Sequence, residues 1–272
     1  PLAGIGLEQF GLFRPDGSGR TESPRISLRG QLAPGGARIV YMSAEDGDAE
    51  IFVADADGTD AKKLTDNGVI DNQPTWSPDG KQIAFASTRN GKWQIFVMDG
   101  NGAKIQQRTR EPQGAWHPQF GPSGQFSYLT WRGQAGKSLL TDLVVADAKE
   151  SKTIVENIQI TDYAWSPNGK TIAYGKVGAL AFHELATGKS REVSFPEIHR
   201  ELYSHGAHRV SWRPDGQAVA CSITFLGGRR AGTKSFGDEE VFVIPQGGKP
   251  TWFHPGGPYE HFDWFTTPDQ DR

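Results

Sequence analysis

The chain has 272 residues, 36 % hydrophobic and 22 % charged, with 34 glycines and 17 prolines, a balance that suits many short strands joined by tight turns better than long helices. A mean hydropathy of −0.53 and the lack of any apolar run long enough to span a bilayer leave no candidate membrane-spanning helix. The net charge of −3 and a pI near 6.2 offer no electrostatic footprint for a nucleic-acid backbone or an anionic membrane surface.

In chain order, Phe10-Gly11-Leu12-Phe13-Arg14-Pro15-Asp16-Gly17 reads as one strand followed by its turn. Beyond it a unit recurs. Its marker is a Pro-x-Gly turn: Pro34-Gly35-Gly36, Pro78-Asp79-Gly80, Pro122-Ser123-Gly124, Pro167-Asn168-Gly169 and Pro214-Asp215-Gly216. The last glycines lie 44, 44, 45 and 47 residues apart. Four positions before each stands a large apolar residue: Leu32, Trp76, Phe120, Trp165 and Trp212. Three positions after each begins a second strand, as in Ile39-Val40-Tyr41, Ile83-Ala84-Phe85, Ile172-Ala173-Tyr174 and Val219-Ala220-Cys221; in the third unit Ser127 opens it. A third apolar run follows a variable hairpin, as in Ile51-Phe52-Val53 and Ile95-Phe96-Val97, and a short last strand ends at Leu64-Thr65 or Arg108-Thr109.

Four short strands in 40 to 45 residues make one propeller blade. The expected fold is therefore all-β: a single domain, residues 1–272, forming a six-bladed β-propeller of four-stranded antiparallel blades. The blades are placed at 31–70, 72–115, 116–160, 161–205 and 208–257, and a sixth joins 261–272 with 8–28 so that strands from both termini close the ring. Five blades is the alternative count.

Several chemical motifs are missing. There is no Gly-x-Ser-x-Gly elbow, no Walker motif, no dinucleotide fingerprint and no His-Glu-x-x-His. Asp55-x-Asp57-Gly58-x-Asp60 starts like a calcium loop but has Asp66 where the bidentate glutamate belongs and strands on both flanks, so it reads as a blade turn. Asp46-Gly47-Asp48 with Glu50 reads as a hairpin tip. Cys221 is the one cysteine, which excludes an intramolecular disulfide; its strand context predicts a buried, inert thiol.

Pro74-Thr75-Trp76-Ser77-Pro78-Asp79-Gly80-Lys81-Gln82-Ile83-Ala84-Phe85, echoed by Trp165-Ser166-Pro167-Asn168-Gly169-Lys170 and Trp212-Arg213-Pro214-Asp215-Gly216, resembles the repeat of the TolB-like β-propeller family. The resemblance covers nearly the whole chain and implies a scaffold. The family's repeat serves partner-binding proteins, accessory domains of peptidases and some lyases, so it leaves the function open. The third unit departs from it, with Phe120-Gly121-Pro122-Ser123 in place of Trp-Ser-Pro-Asp, and no separate α/β domain precedes the repeats.

In a propeller the first strand of each blade lines the channel, so residues three and four positions before the anchor gather at one channel mouth. The expected ligand-binding set is Arg29, Asn72, Gln73, Trp116, His117, Asp162, His208, Arg209, Glu260 and His261. Five of the seven histidines lead into first strands: His117, His199, His205, His208 and His261. His117, His208 and His261 with Asp162 are candidate ligands for a divalent metal. The polar mouth is equally what a wet, partner-binding face requires. The preferred expectation is a non-enzymatic, exported monomer without cofactor that binds a protein or peptide there. A distant resemblance of the His-rich loops to oligogalacturonate lyases implies the alternative, a metal-dependent β-elimination on uronides, with a carbohydrate as partner. A third possibility is an accessory domain of a larger enzyme. Pro1 in place of an initiator Met fits a processed periplasmic or other extracytoplasmic protein, or an excised fragment.

Overall fold

The computed structural model describes residues 10–12, 21–23, 30–44, 47–135, 138–147, 150–195, 203–225, 239–249 and 251–253. Every regular element among them is a β-strand. A short antiparallel pair comes first, β1 (Phe10–Leu12) and β2 (Thr21–Ser23), with Phe10 opposite Ser23. Blade 1 holds β3 (Gln31–Leu32), β4 (Arg38–Ser43), β5 (Glu50–Asp55) and β6 (Lys62–Lys63). Blade 2 holds β7 (Asp71–Trp76), β8 (Gln82–Ser87), β9 (Gln94–Asp99) and β10 (Gln106–Gln107). Blade 3 holds β11 (Ala115–Phe120), β12 (Phe126–Ala135), β13 (Ser138–Ala146) and β14 (Ser151–Ile158). Blade 4 holds β15 (Tyr163–Trp165), β16 (Thr171–Lys176), β17 (Ala179–Glu184) and β18 (Lys189–Ser194). Blade 5 holds β19 (Tyr203–Trp212), β20 (Ala218–Phe225), β21 (Glu239–Pro245) and β22 (Thr251–Phe253). Each blade is a four-stranded sheet with its strands hydrogen-bonded in chain order.

The expected count of six is corrected to five four-stranded blades among the described residues. Among the described residues the N-terminal segment supplies the β1–β2 pair, and 261–272 lies outside the described residues. The described residues fall into two compact units, the first ending at Pro118 and the second beginning at Gln119, a division that runs through β11.

The repeated turn follows from backbone sterics. Gly36, Gly80, Gly124, Gly169 and Gly216 all have φ between 67° and 81°, the left-handed region that a side chain disfavours. A neighbouring side chain fastens most of these turns. Asp79 Oδ1 accepts bonds from the Ser77 hydroxyl (2.7 Å) and from Lys81 N (3.1 Å). Asn168 does the same with Ser166 (2.8 Å) and Lys170 (2.9 Å), and Asp215 accepts from Gln217 N (2.8 Å). These bonds hold the Asp79 carboxyl below its usual range.

A sheet of four short strands cannot bury its own faces, so neighbouring blades must cover each other. In the first unit Trp76 is buried with Ala33, Val40, Ile51 and Val53 of blade 1 and with Ile83, Phe85 and Met98 of its own blade. In the second unit Trp212 performs the same task, packing edge-on against Phe182 of blade 4 at 5.8 Å between ring centroids. Cys221 lies fully buried in that cluster, where desolvation pushes its thiol well above the ordinary value, in keeping with an inert side chain. Gly175 marks the closest approach of blades 4 and 5: a β-carbon there would overlap the Ala207 carbonyl.

Polar side chains tie the blades where the ladders cannot. Gln31 Oε1 accepts from the Thr75 hydroxyl (2.9 Å) and from Trp76 N (2.6 Å). Gln119 Nε2 donates to the Tyr163 carbonyl, and Thr161 Oγ1 donates to the Ala207 carbonyl (2.5 Å). Ser127, fully buried in blade 3, accepts the indole N–H of Trp165 at 2.7 Å and lies 3.1 Å from the Tyr163 hydroxyl.

Two expectations follow. Ser127→Ala leaves the Trp165 indole N–H buried without its acceptor, so urea unfolding should show a loss of about 1–3 kcal/mol; a change below a few tenths would refute the role given to that bond. His183 is buried in β17 with Nδ1 3.0 Å from Ser190 Oγ, and desolvation, followed by the charge of Lys152, holds its pKa below the ordinary value of 6.5. Folding thus favours neutral His183: its contribution is complete above the unfolded pKa and declines as pH falls below about 6.5. The urea midpoint should therefore fall less steeply between pH 7.5 and 5.5 in His183→Asn than in the unsubstituted chain.

Candidate functional site

The expected site residues sit where the first strand of each blade begins. Gln73, His117 and Arg209 each stand three positions before an anchor, at Trp76, Phe120 and Trp212. All three adopt left-handed backbone conformations, with φ of 54°, 53° and 51°. None is glycine, and such a conformation costs roughly 1–2 kcal/mol for an L-residue. In blades 2 and 5 the strand register shifts at this point, between Asn72 and Thr75 and between His208 and Ser211. A bulge of this kind re-aims the side chain at its apex. The left-handed conformation thus recurs in three blades at one repeat position, and the bulge in two of them.

In the first unit Asn72, Gln73, Trp116 and His117 are all partly exposed. Asn72 Oδ1 accepts from Gln73 N (2.6 Å), and Gln73 Oε1 accepts from His117 N (2.8 Å). The glutamine side chain of blade 2 therefore holds the strained backbone of blade 3, and it serves as a brace as well as a polar surface. In the second unit Asp162 is a brace too. Its Oδ1 accepts from Tyr163 N (2.7 Å), starting β15, and its Oδ2 accepts from Val210 N (2.9 Å) beside the Arg209 bulge. Asp162 is not among the left-handed residues, and Arg209 is partly exposed. The backbone of His208 lies in β19 opposite Ser222. Arg29, Glu260 and His261 lie outside the described residues, as does His199.

Among the described residues no group of three or more His, Cys, Asp and Glu side chains forms a ready metal-ligand set. Of the candidate metal ligands, His117 belongs to the first unit and Asp162 to the second, and each is described within its own unit.

The residues at the hairpin tip of blade 1 need a correction. Glu50 is fully buried, not a tip residue. Thr65 donates its hydroxyl to Glu50 Oε2, and Asn67 N donates to Oε1 at 2.8 Å. Desolvation holds the Glu50 carboxyl above its ordinary value against these bonds, and repulsion from Asp71 and Asp48 adds to it. The signal lay in the repeat: Glu50 and Thr65 recur 44 residues on as Gln94 and Thr109, which bond in the same way at 2.8 Å. The Asp55–Asp60 segment is the expected blade turn, with Asp57 Oδ1 accepting from Thr59 N (3.0 Å) and the Thr59 hydroxyl (2.6 Å).

The left-handed position has a direct check. His117→Gly removes the steric cost of φ near 53° and adds chain entropy of similar size, so the unfolding free energy from urea titration should stay within about 1 kcal/mol of the starting value. His117→Val puts a β-branched side chain into the same conformation and should be clearly less stable. Equal stabilities would contradict the strain.

Comparison with known proteins bears on the scaffold. The sequence profile described as the TolB beta propeller domain matches residues 18–179, more than half of the chain. Among curated proteins none matches it. Among solved structures, TolB from Acinetobacter baumannii is similar with a TM-score of 0.61 at 18 % identity, covering 81 % of this chain and 53 % of that protein. The chain thus spans about half the length of that relative. A putative TolB from Agrobacterium tumefaciens aligns with a TM-score of 0.67 at 16 % identity, covering 85 % of this chain and 82 % of the other. An oligogalacturonate lyase in complex with manganese aligns with a TM-score of 0.60 at 14 % identity, covering 91 % and 72 %. At these identities the structural likenesses speak to the fold alone. With the profile match, the Pro-x-Gly blade turns and the anchors Trp76 and Trp212 packed against the preceding blades, the chain belongs to the TolB β-propeller family.

Proposed function

We propose that this chain is a non-enzymatic, exported propeller scaffold that works as a monomer, outside the cytoplasmic membrane, and binds a protein or peptide partner through the residues entering its first strands. One observation carries this reading. At a single repeat position, three blades keep a non-glycine residue in a left-handed conformation, in two of them at a strand bulge, although glycine would fill the position with less strain. The retained side chains are Gln, His and Arg, whose amide, imidazole and guanidinium groups are all able to hydrogen-bond a ligand. Trp116 beside His117 adds an aromatic face, the residue type that anchors peptide contacts. The rigid sheets supply the platform, and the variable residues on them supply the selectivity. Membership of the TolB propeller family supports this location, and no helix among the described residues is long and apolar enough to cross a membrane.

The test is selection of binders from a displayed peptide library on the immobilised protein, followed by calorimetry on the winners. Trp116→Ala and His117→Ala, neighbours in the first unit, should each weaken a selected peptide at least about 10-fold, equal to about 1.4 kcal/mol, with the fold retained. Peptides that bind both variants as tightly as the parent would remove these positions from the interface. Elemental analysis of protein purified without chelator tests the non-enzymatic part. Near-stoichiometric manganese, zinc or iron that is lost in His117→Ala would overturn it and send the search to uronide substrates.

A further inference from the structure

We propose that the junction between blades 1 and 2 binds a calcium-class divalent cation, held directly by Asp48 Oδ2 and Asp71 Oδ1. The proposal stands apart from the partner-binding reading. The backbone bond from Asp71 N to the Ala49 carbonyl (2.8 Å) sets Asp71 beside the segment that carries Asp48 and Glu50. Glu50 and Asp71 are both fully buried, and Asp48 is partly exposed. Both oxygens of Glu50 are occupied, by Thr65 and by Asn67 N. Asp71 Oδ2 is doubly occupied, by Arg89 Nη2 at 2.6 Å and Asn67 Nδ2 at 2.7 Å. Asp71 Oδ1 and Asp48 Oδ2 are left buried, with no hydrogen-bond partner.

Two unpartnered carboxylate oxygens in one buried junction call for an ion or a bridging donor. The charge balance chooses between them. Three carboxylates face one guanidinium, a formal excess of two negative charges in a desolvated place, and one divalent cation closes it. A water molecule would satisfy a lone pair and leave the repulsion.

The chain contains its own control. At the next junction of the first unit, 44 residues on, Lys92, Gln94 and Ala115 stand in place of Asp48, Glu50 and Asp71. The bonding there is the same: Gln94 Oε1 accepts from the Thr109 hydroxyl (2.8 Å) and from Glu111 N (3.1 Å), and Ala115 N donates to the Trp93 carbonyl (2.8 Å). The blade junction therefore closes with no carboxylate at any of the three positions. The acids of the first junction are an addition to the architecture, and their joint property is affinity for a cation. The donors are all oxygens, with no imidazole or thiol, which selects a hard ion. Calcium tolerates an irregular oxygen set, whereas magnesium demands a stricter octahedron, so calcium is the better match. The partly exposed Asp48 provides the way in.

The experiment is calorimetric titration of the chelator-stripped chain with calcium chloride and with magnesium chloride, alongside melting curves in each. Calcium should bind at one site with a Kd of about 1 mM or tighter, as in extracellular calcium modules, and raise the Tm by several degrees. Magnesium should bind at least about 10-fold more weakly. Asp48→Asn and Asp71→Asn should both abolish the calcium response, whereas Asp57→Asn, in the exposed blade turn, should keep it. Asp71→Asn loosens Arg89 and risks the fold, so Asp48→Asn, at a partly exposed position, carries the decision. A chain that shows neither heat nor a Tm shift with calcium overturns the site. So does an undiminished response in Asp48→Asn, and magnesium binding as tight as calcium overturns the choice of ion.

Discussion

Everything in this molecule depends on one constraint: a four-stranded sheet of short strands leaves both of its faces to be buried by something else. The anchor at the end of each first strand answers it. Trp76 reaches into the face of blade 1, and Trp212 into that of blade 4, so the side chain that completes one blade belongs to the next. An anchor placed this way must leave the strand at a set angle, and the Pro-x-Gly turn that follows supplies it, its glycine in a left-handed conformation that lets the chain reverse within a few residues. The 44-residue period is thus the spacing of a packing solution used again.

Apolar packing between sheets is tolerant of sliding, and the polar straps remove that freedom. Gln31, Gln73, Gln119, Thr161 and Asp162 each send a side chain from one blade to the backbone of the following one. A hydrogen bond to the backbone fixes register in a way that dispersion does not, and each of these bonds lies near the start or end of a first strand. All five of these residues are also partly exposed. One set of residues therefore both aligns the blades and presents polar groups to solvent, which is why Asp162 and Gln73 combine a structural with a surface role.

The left-handed residues at the starts of the first strands show where the fold holds strain. Gln73, His117 and Arg209 each sit in a conformation that a glycine would occupy more easily. The strain is tolerated because the neighbours over-determine it: the Gln73 side chain holds His117 N, and Asp162 holds Val210 N beside Arg209. The buried acids between blades 1 and 2 are a different kind of departure. There the hydrogen-bond frame is the ordinary one, and the negative charge is the added element, visible against the copy 44 residues along the same chain, which has no carboxylate at these positions.

By itself the sequence determined the blade unit, its four strands, the turn glycines and the anchor aromatics, because these obey local rules of backbone sterics and alternation that repeat with a fixed period. It also marked the position three before each anchor as special. The tertiary structure decided what that position does. The bulge, the left-handed φ and the side chain-to-backbone straps join residues 44 to 48 positions apart, and no local rule ties a glutamine in one blade to an amide in the next. The blade count went the same way, since closure depends on which distant strands pair, and the described residues form five four-stranded sheets in place of the expected six. Glu50 makes the point at a single residue: on the linear chain it borders a polar hairpin and reads as exposed, while in the fold Thr65 and Asp71 close over it, because burial is set by what the rest of the chain brings alongside.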